Sequence, residues 1–192
     1  NEKGTNPFFE VKKKNGIKIE KRKGVDQVNL VFAYHIPTSK DNKCYAAEVL
    51  STLMAEGMSS RLFSEIREKR NMAYAVKGGS YISKNFAYNF IYVGTTKENL
   101  EKVKGLMLEE FEKVSKELDE KELREVKEQI IGNHQISSED SQAQMLELLT
   151  WEFNGNAKDS YEFEKRNQEV KLKDVKELAK IKSYSFFALV PE

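Results

Sequence analysis

Residues 74 to 92 revert to strand character between two helical stretches, and this reversal does most to limit the fold. AYAVKGGSYI and FAYNFIYVG are rich in β-branched and aromatic residues, with Ser83-Lys84-Asn85 as the connecting turn, so the segment reads as a β-hairpin. Upstream, Ala46, Val49, Leu50 and Leu53 recur at a helical spacing that stops at Gly57, and a second helix is expected from Ser59 or Ser60. Downstream, Thr95 or Thr96 is expected to cap a helix whose Leu100, Val103, Met107, Phe111, Val114 and Leu118 share one apolar face. Asp119 and Glu122 form a capping box, each side chain placed to reach an unpaired backbone N–H, and open a helix carrying Leu123, Val126 and Ile130, its continuity weakened at Gly132. A helical block from Gln142 to Phe153 ends near Asn154-Gly155. One or two short helices and a last strand over 183–190 follow.

The beginning of the chain adds strands. Residues 8 to 23 alternate apolar and polar around Asn15-Gly16, a dipeptide suited to a tight turn, and two short hairpin strands are expected there. QVNLVFAYHI, from Gln27 to Ile36, reads as a well-buried strand that stops at Pro37. Strands, two helices, a hairpin, several helices and a closing strand lack the regular alternation of a parallel doubly wound sheet. The expected fold is α+β, a two-layer sandwich of mostly antiparallel sheet with helices on one face. We expect a single domain over 17–192, with 1–16 as a lead-in or first hairpin strand, and we find no internal repeat or long linker.

The charges nearly cancel, 32 basic against 31 acidic side chains, so no global field favours nucleic acid or an anionic membrane as a partner. Cys44 is the only cysteine, which rules out an internal disulfide and favours a reducing, cytoplasmic setting. The longest apolar runs fall far short of the ~20 residues of a membrane-spanning helix. The chain opens at Asn1 without the pattern of a signal peptide, as expected of a piece of a longer protein.

A catalytic zinc needs three protein ligands and an open position. His35 and His134 are the only histidines, nearly a hundred residues apart, and neither sits in an HExxH or HxxEH arrangement, so no metal site is expected. Cys44 lacks an identifiable activating base and reads as a packed side chain. Neither GxGxxG nor GxxxxGK[ST] is present. Gly78-Gly79 inside a strand pattern marks either a bulge or a close approach of peptide backbone. The basic cluster of Lys12 to Lys14, Lys18 and residues 21 to 23 reads as the wet face and protected edge of a strand pair. Arg67 and Tyr74 flank a helix-to-strand corner. There a guanidinium and a phenol can both donate to one carbonyl or developing oxyanion; equally, Arg67 can form a surface ion pair while Tyr74 packs in the core.

The segment containing that corner, GMSSRLFSEIREKRNMAYAV, resembles the signature of the second, non-metal domain of the pitrilysin and insulinase peptidases, especially short bacterial and archaeal members and mitochondrial-processing-peptidase relatives. FAYNFIYVGTTKENLEKV is similar to the family's following strand and helix, DEKELREVKEQIIG to its long helix and SFFALVPE to its last strand, so the likeness runs from about Ile17 nearly to the end. The resemblance implies a clamshell of related α+β halves, one carrying zinc on HxxEH with a distal Glu, the other closing over a peptide substrate. Arg67 and Tyr74 match the arginine and tyrosine with which the family's second half holds the peptide near the scissile bond. It implies a substrate-binding half with no catalytic residue of its own, whose zinc-bearing partner is in the same polypeptide or another subunit; a dimer is also compatible. The alternative within the family is an inert scaffolding homologue. Two departures stand out: Ala55-Glu56-Gly57 replaces the usual glycine-rich lead-in, and the metal motif is absent.

Overall fold

In the computed structural model, which describes residues 11–192, five strands form one sheet. They are β1 (Ile17–Arg22), β2 (Val28–His35), β3 (Ala73–Ile82), β4 (Ala87–Thr95) and β5 (Ser185–Pro191), ordered β1-β5-β2-β4-β3. Every neighbouring pair is antiparallel except β1 and β5. Among the described residues the hairpin expected around Asn15-Gly16 is not seen. Residues 8 to 10 lie outside the described residues, 11 to 16 carry no strand, and β1 runs parallel to β5 with Ile17 opposite Phe186. Gly16 joins the same edge: its carbonyl accepts from the Phe186 N–H at 2.8 Å and its N–H donates to Ser185 Oγ at 3.2 Å.

Burial alternates cleanly along the central strands. Val28, Leu30, Phe32 and Tyr34 of β2, Ile91 and Val93 of β4, and Phe186, Ala188 and Val190 of β5 point into the core. They meet the apolar faces of α1 (Lys43–Ala55), α2 (Leu100–Glu117) and α3 (Glu120–Ser137) on that side of the sheet. Asn89 is fully buried there, with its amide engaged by three elements. Its Nδ2 donates to Ala47 O at 2.7 Å and Tyr34 Oη at 3.0 Å, while its Oδ1 accepts from Ser80 Oγ at 2.8 Å. A buried amide satisfied on both ends fixes register instead of penalising it.

The helix ends differ from their sequence signals in two places. α2 begins at Leu100, one turn later than a Thr95 or Thr96 cap requires, because Thr95 completes β4 and donates its hydroxyl to Met72 O. Asp119 does cap α3, accepting from Glu122 N at 2.8 Å, but the Glu122 carboxylate turns away to hold Arg61 at 2.7 and 2.6 Å, so only half of the box forms. α3 runs through Gly132 without interruption. Beyond it come α4 (Ser141–Asn154), a 3₁₀ turn over Ala157–Glu162, α5 (Phe163–Gln168) and α6 (Leu172–Leu178).

Two apolar surfaces have nothing over them among the described residues. The far face of the sheet presents Val31, flanked by Tyr92 and Phe187 on neighbouring strands, and a stack of Tyr81, Phe86 and Tyr88 at the β3–β4 tip. A solvated sheet face normally carries polar residues. α4 has no buried residue, although Met145, Leu146, Leu149 and Phe153 are all large and exposed.

Gly78 and Gly79 mark no bulge, since the β3–β4 register is continuous from Val76 to Ile82. Gly78 instead admits α1: an added Cβ would lie 2.7 Å from Ala55 Cβ. Gly78→Ala is expected to destabilise by about 1–3 kcal/mol through overpacking. Gly132→Ala, where a Cβ meets nothing within 4 Å, is expected to stabilise by about 1 kcal/mol. Urea unfolding midpoints measure both, and a Gly78→Ala midpoint no lower than that of the unsubstituted domain would contradict the packing of α1 on β3.

Candidate functional site

The corner between α1 and β3 is built in three steps. Gly57 turns the chain at φ +86°, residues 61 and 62 are helical, and Phe63–Glu68 widens into a π-helix in which Lys69 N donates to Ser64 O at 2.9 Å. Asn71, at φ 52°, then reverses the chain, with Met72 N donating to Ile66 O at 2.9 Å, and β3 begins at Ala73. An Asn tolerates this left-handed conformation better than most residues. Arg61 anchors the whole corner. It forks onto Glu122 of α3 and lies 3.5 Å from Glu110 of α2, a carboxylate only 3% exposed that Lys113 also meets.

Three cations sit on the last turn of the corner, and their engagement differs. Lys69 and Arg70 both converge on the Glu65 carboxylate, which holds it below the usual range. Arg67 is exposed, and its guanidinium lies 4.9 Å from the Phe63 ring centroid, a cation–π contact. It forms no ion pair among the described residues. The five N–H donors of Arg67 are therefore open to something outside the domain.

Tyr74 reaches the uncovered sheet face through a bulge. Ala73 pairs with Thr95 and Ala75 with Gly94, leaving Tyr74 as the extra residue between them. Because side chains alternate along a strand, one inserted residue sends the ring to the opposite face. There it occupies the space a Cβ on Gly94 would need. The phenol is 40% exposed, and its hydroxyl stands 3.5 Å from Val28 O, the outer limit of a hydrogen bond. Desolvation, and after it the Tyr92 hydroxyl, hold the Tyr74 phenol above its ordinary range, so it is a protonated donor at neutral pH. Tyr92 is itself fixed, donating to Asn29 Oδ1 at 2.7 Å. Arg67 and Tyr74 do not bond to one another. Among the described residues Arg67 has no ion pair, and Tyr74 is not packed in the core.

The remaining candidate residues are dispersed. His35 ends β2 with Nε2 3.4 Å from Lys14 O, whereas His134 lies on α3 with Nε2 2.9 Å from Glu147 and its ring stacked on Phe163. No group of three or more His, Cys, Asp or Glu among the described residues is arranged to hold a metal ion, so these side chains do not fit a zinc centre. Cys44 is buried, and burial, then the charge of Glu48, pushes its thiol up to about 11, leaving no thiolate at neutral pH. On the basic edge strand, Lys18 and Arg22 both pair with Glu20, at 3.2 and 3.0 Å. No helix among the described residues is long and apolar enough to cross a membrane.

The family model described as the peptidase M16 inactive domain matches residues 1–130. The chain belongs to that family. An M16 inactive domain is the kind of domain whose signature the corner segment carries. A protein named as an uncharacterized zinc protease in Rickettsia bellii (strain RML369-C) is 33% identical over 121 residues, 61% of this chain and 29% of that protein. The chain thus spans less than a third of the length of the curated relatives it matches. Among solved structures, a protease from Helicobacter pylori superposes with a TM-score of 0.84 at 20% identity, covering 100% of this chain and 48% of that one. An inactive peptidase domain from Bordetella parapertussis superposes at 0.77 with 16% identity, covering 89% of this chain and 96% of that one. These likenesses establish the fold.

Sequence reasoning missed the partners of Tyr74. Nothing in the strand pattern marks Gly94 as the floor beneath its ring, or Tyr92 and Asn29 as its neighbours; only the glycine inside an aromatic strand hints at a close approach. Gly94→Ala in this M16 inactive domain is expected to lift the Tyr74 ring and to cost about 1–3 kcal/mol of stability. ¹³C-tyrosine NMR should show the Tyr74 phenol titrating closer to its ordinary value. A Tyr74 titration identical to that of the unsubstituted domain would show that the glycine does not set the ring.

Proposed function

We propose that this domain is the substrate-holding half of a zinc endopeptidase, in which Arg67 and Tyr74 bind the peptide near the bond to be cut. The observation that carries the reading is that both side chains are exposed at the corner, Arg67 with a guanidinium unpaired among the described residues and Tyr74 with a hydroxyl held only by a 3.5 Å contact to Val28 O and its Tyr92 neighbour. Arg67 has no ion pair among the described residues, and Tyr74 has been moved onto the open face by a bulge. A guanidinium remains charged at any working pH, and a phenol held protonated can donate. Together they can orient a peptide carbonyl and stabilise the charge that develops on its oxygen.

Hydrolysis is assigned to a separate zinc-bearing half, in the same polypeptide or another subunit, whose metal would activate the attacking water. The aromatic sheet face and the apolar flank of α4 are the surfaces we assign to contact with that half, because exposed apolar area of this extent marks an interaction site. Both lie uncovered among the described residues.

In the assembled enzyme, Arg67→Ala and Tyr74→Phe are each expected to lower turnover of an unfolded peptide by on the order of 100-fold or more, the effect of removing one preorganised donor. Melting temperature should change little, because Arg67 is exposed and Tyr74→Phe keeps the ring over Gly94. Cleavage at the unsubstituted rate would favour the inert scaffolding homologue instead. Phe187→Asp together with Val31→Asp is expected to weaken association with the zinc-bearing half, read by sedimentation. Undiminished association would move the contact away from this face.

A further inference from the structure

On the helix side of the sheet, α1, the tip of the β3–β4 hairpin and α4 enclose a cavity of about 700 Å³. That is within the size range of small-ligand sites. Its mixed polar and apolar lining includes aromatic rings from three helices, Tyr45 from α1, Trp151 from α4 and Phe163 from α5. The rings are held in place by their neighbours: Phe163 lies edge-on to Tyr45 at 6.4 Å and stacks on His134 at 4.4 Å. Into this lining α1 places one partly buried carboxylate, Glu48.

Carboxylates withdrawn from water are ordinarily paired. The neighbouring Glu56 follows that rule, accepting from Ser51 Oγ at 2.6 Å. Glu48 has neither a hydrogen bond nor an ion pair among the described residues. The charged and titratable groups around it do not supply one. Cys44 is a protonated thiol, the Tyr45 hydroxyl meets Arg166 at 3.4 Å, and Arg166 is held by Asp159 at 3.2 Å. Lys84 reaches the cavity wall from the hairpin turn but forms no salt bridge with Glu48. Burial, and after it the charge of Glu56, pushes the Glu48 carboxyl up to about 7. A cation in the cavity would relieve both.

We propose that this cavity binds an ammonium or guanidinium group carried on an apolar stem, with Glu48 as counter-ion and the Tyr45, Trp151 and Phe163 rings packing the stem. Aromatic faces attract a cation through their quadrupole and cover its hydrocarbon. A neutral ligand would leave the carboxylate unpaired, and an anion would be repelled. The site is separate from the Arg67–Tyr74 corner and does not rest on the peptidase reading. Tyr81, at the cavity, is seven residues along β3 from Tyr74, about 23 Å at the rise of a strand. Two sources carry the required chemistry: the lysine or arginine side chain of a peptide, and a small free amine.

Trp151 is the only tryptophan, so its fluorescence reports this cavity alone. The 192-residue chain is titrated with pentylamine, agmatine, the neutral 1-pentanol, and a lysine tetrapeptide beside its norleucine counterpart. The expected result is a saturable change with the cations, at least tenfold weaker for pentanol and norleucine. Affinity should rise as pH is raised through about 7, because the carboxyl loses its proton while the ligands stay charged. Glu48→Gln keeps the shape and is expected to weaken cation binding at least tenfold, with a circular dichroism spectrum and a melting temperature at pH 8 no lower than those of the unsubstituted chain. Independently of any variant, ¹³C NMR should show the Glu48 carboxyl titrating lower when pentylamine saturates the chain. Tighter binding of the lysine peptide than of the free amines assigns the site to a peptide side chain, and the reverse assigns it to a small amine. Pentanol matching pentylamine, undiminished binding by Glu48→Gln, or a Glu48 titration unmoved by ligand would each overturn the proposal.

Discussion

Covering a five-stranded sheet on one side only is the constraint from which the rest of this domain follows. On the covered side, alternation along β2, β4 and β5 brings a continuous apolar layer against α1, α2 and α3, and Asn89 locks the layers together with every polar atom engaged. On the other side the same alternation delivers Val31, Tyr92 and Phe187 in a row. A sheet meant to face water would carry polar side chains at those positions. Among the described residues the domain is therefore packed from one side and leaves the other apolar and uncovered.

The Arg67–Tyr74 corner depends on that division. Its foundation is ionic and lies on the helix side, where Arg61 ties the turn to α2 and α3. Beyond the foundation, Arg67 is exposed on the turn and Tyr74 is transferred to the open face by a single extra residue in the ladder. A π-helix, a left-handed Asn71 and a bulge follow one another within a dozen residues. Each departs from regular geometry, and such departures persist where surrounding structure holds them and gather at functional sites.

Much of this architecture was legible in the sequence. The strands at β2, β3, β4 and β5 and the long helices were marked by their periods, because each buries a single face whose spacing reveals the element. β1 was legible as a strand, but its partner was not: an Asn-Gly turn advertised a local hairpin, whereas the edge it joins belongs to β5 at the other end of the chain. The capping box was half right, because Arg61 offered the Glu122 carboxylate a full charge in place of one backbone N–H. Arg67 and Tyr74 were singled out by the resemblance of their motif, but the bulge that carries Tyr74 across the sheet was not legible, since an inserted residue leaves no trace in an alternation read from one strand. The Glu48 cavity was invisible for a related reason, its walls coming from segments more than a hundred residues apart.

The position of β5 bears on how the chain reaches this state. The last strand lies inside the sheet, between β1 and β2, so contacts such as Ile17 with Phe186 join the two extremes of the described chain. Closing so long a loop is unfavourable until the pairing that rewards it forms. During synthesis, β2, β3, β4 and α1 can associate as soon as residue 95 has emerged, but β1 has no neighbour until residue 185 follows. Through that interval the edge of β2 that β5 will take has no partner among the strands already made, and an unpaired edge is where strands of unrelated chains can pair.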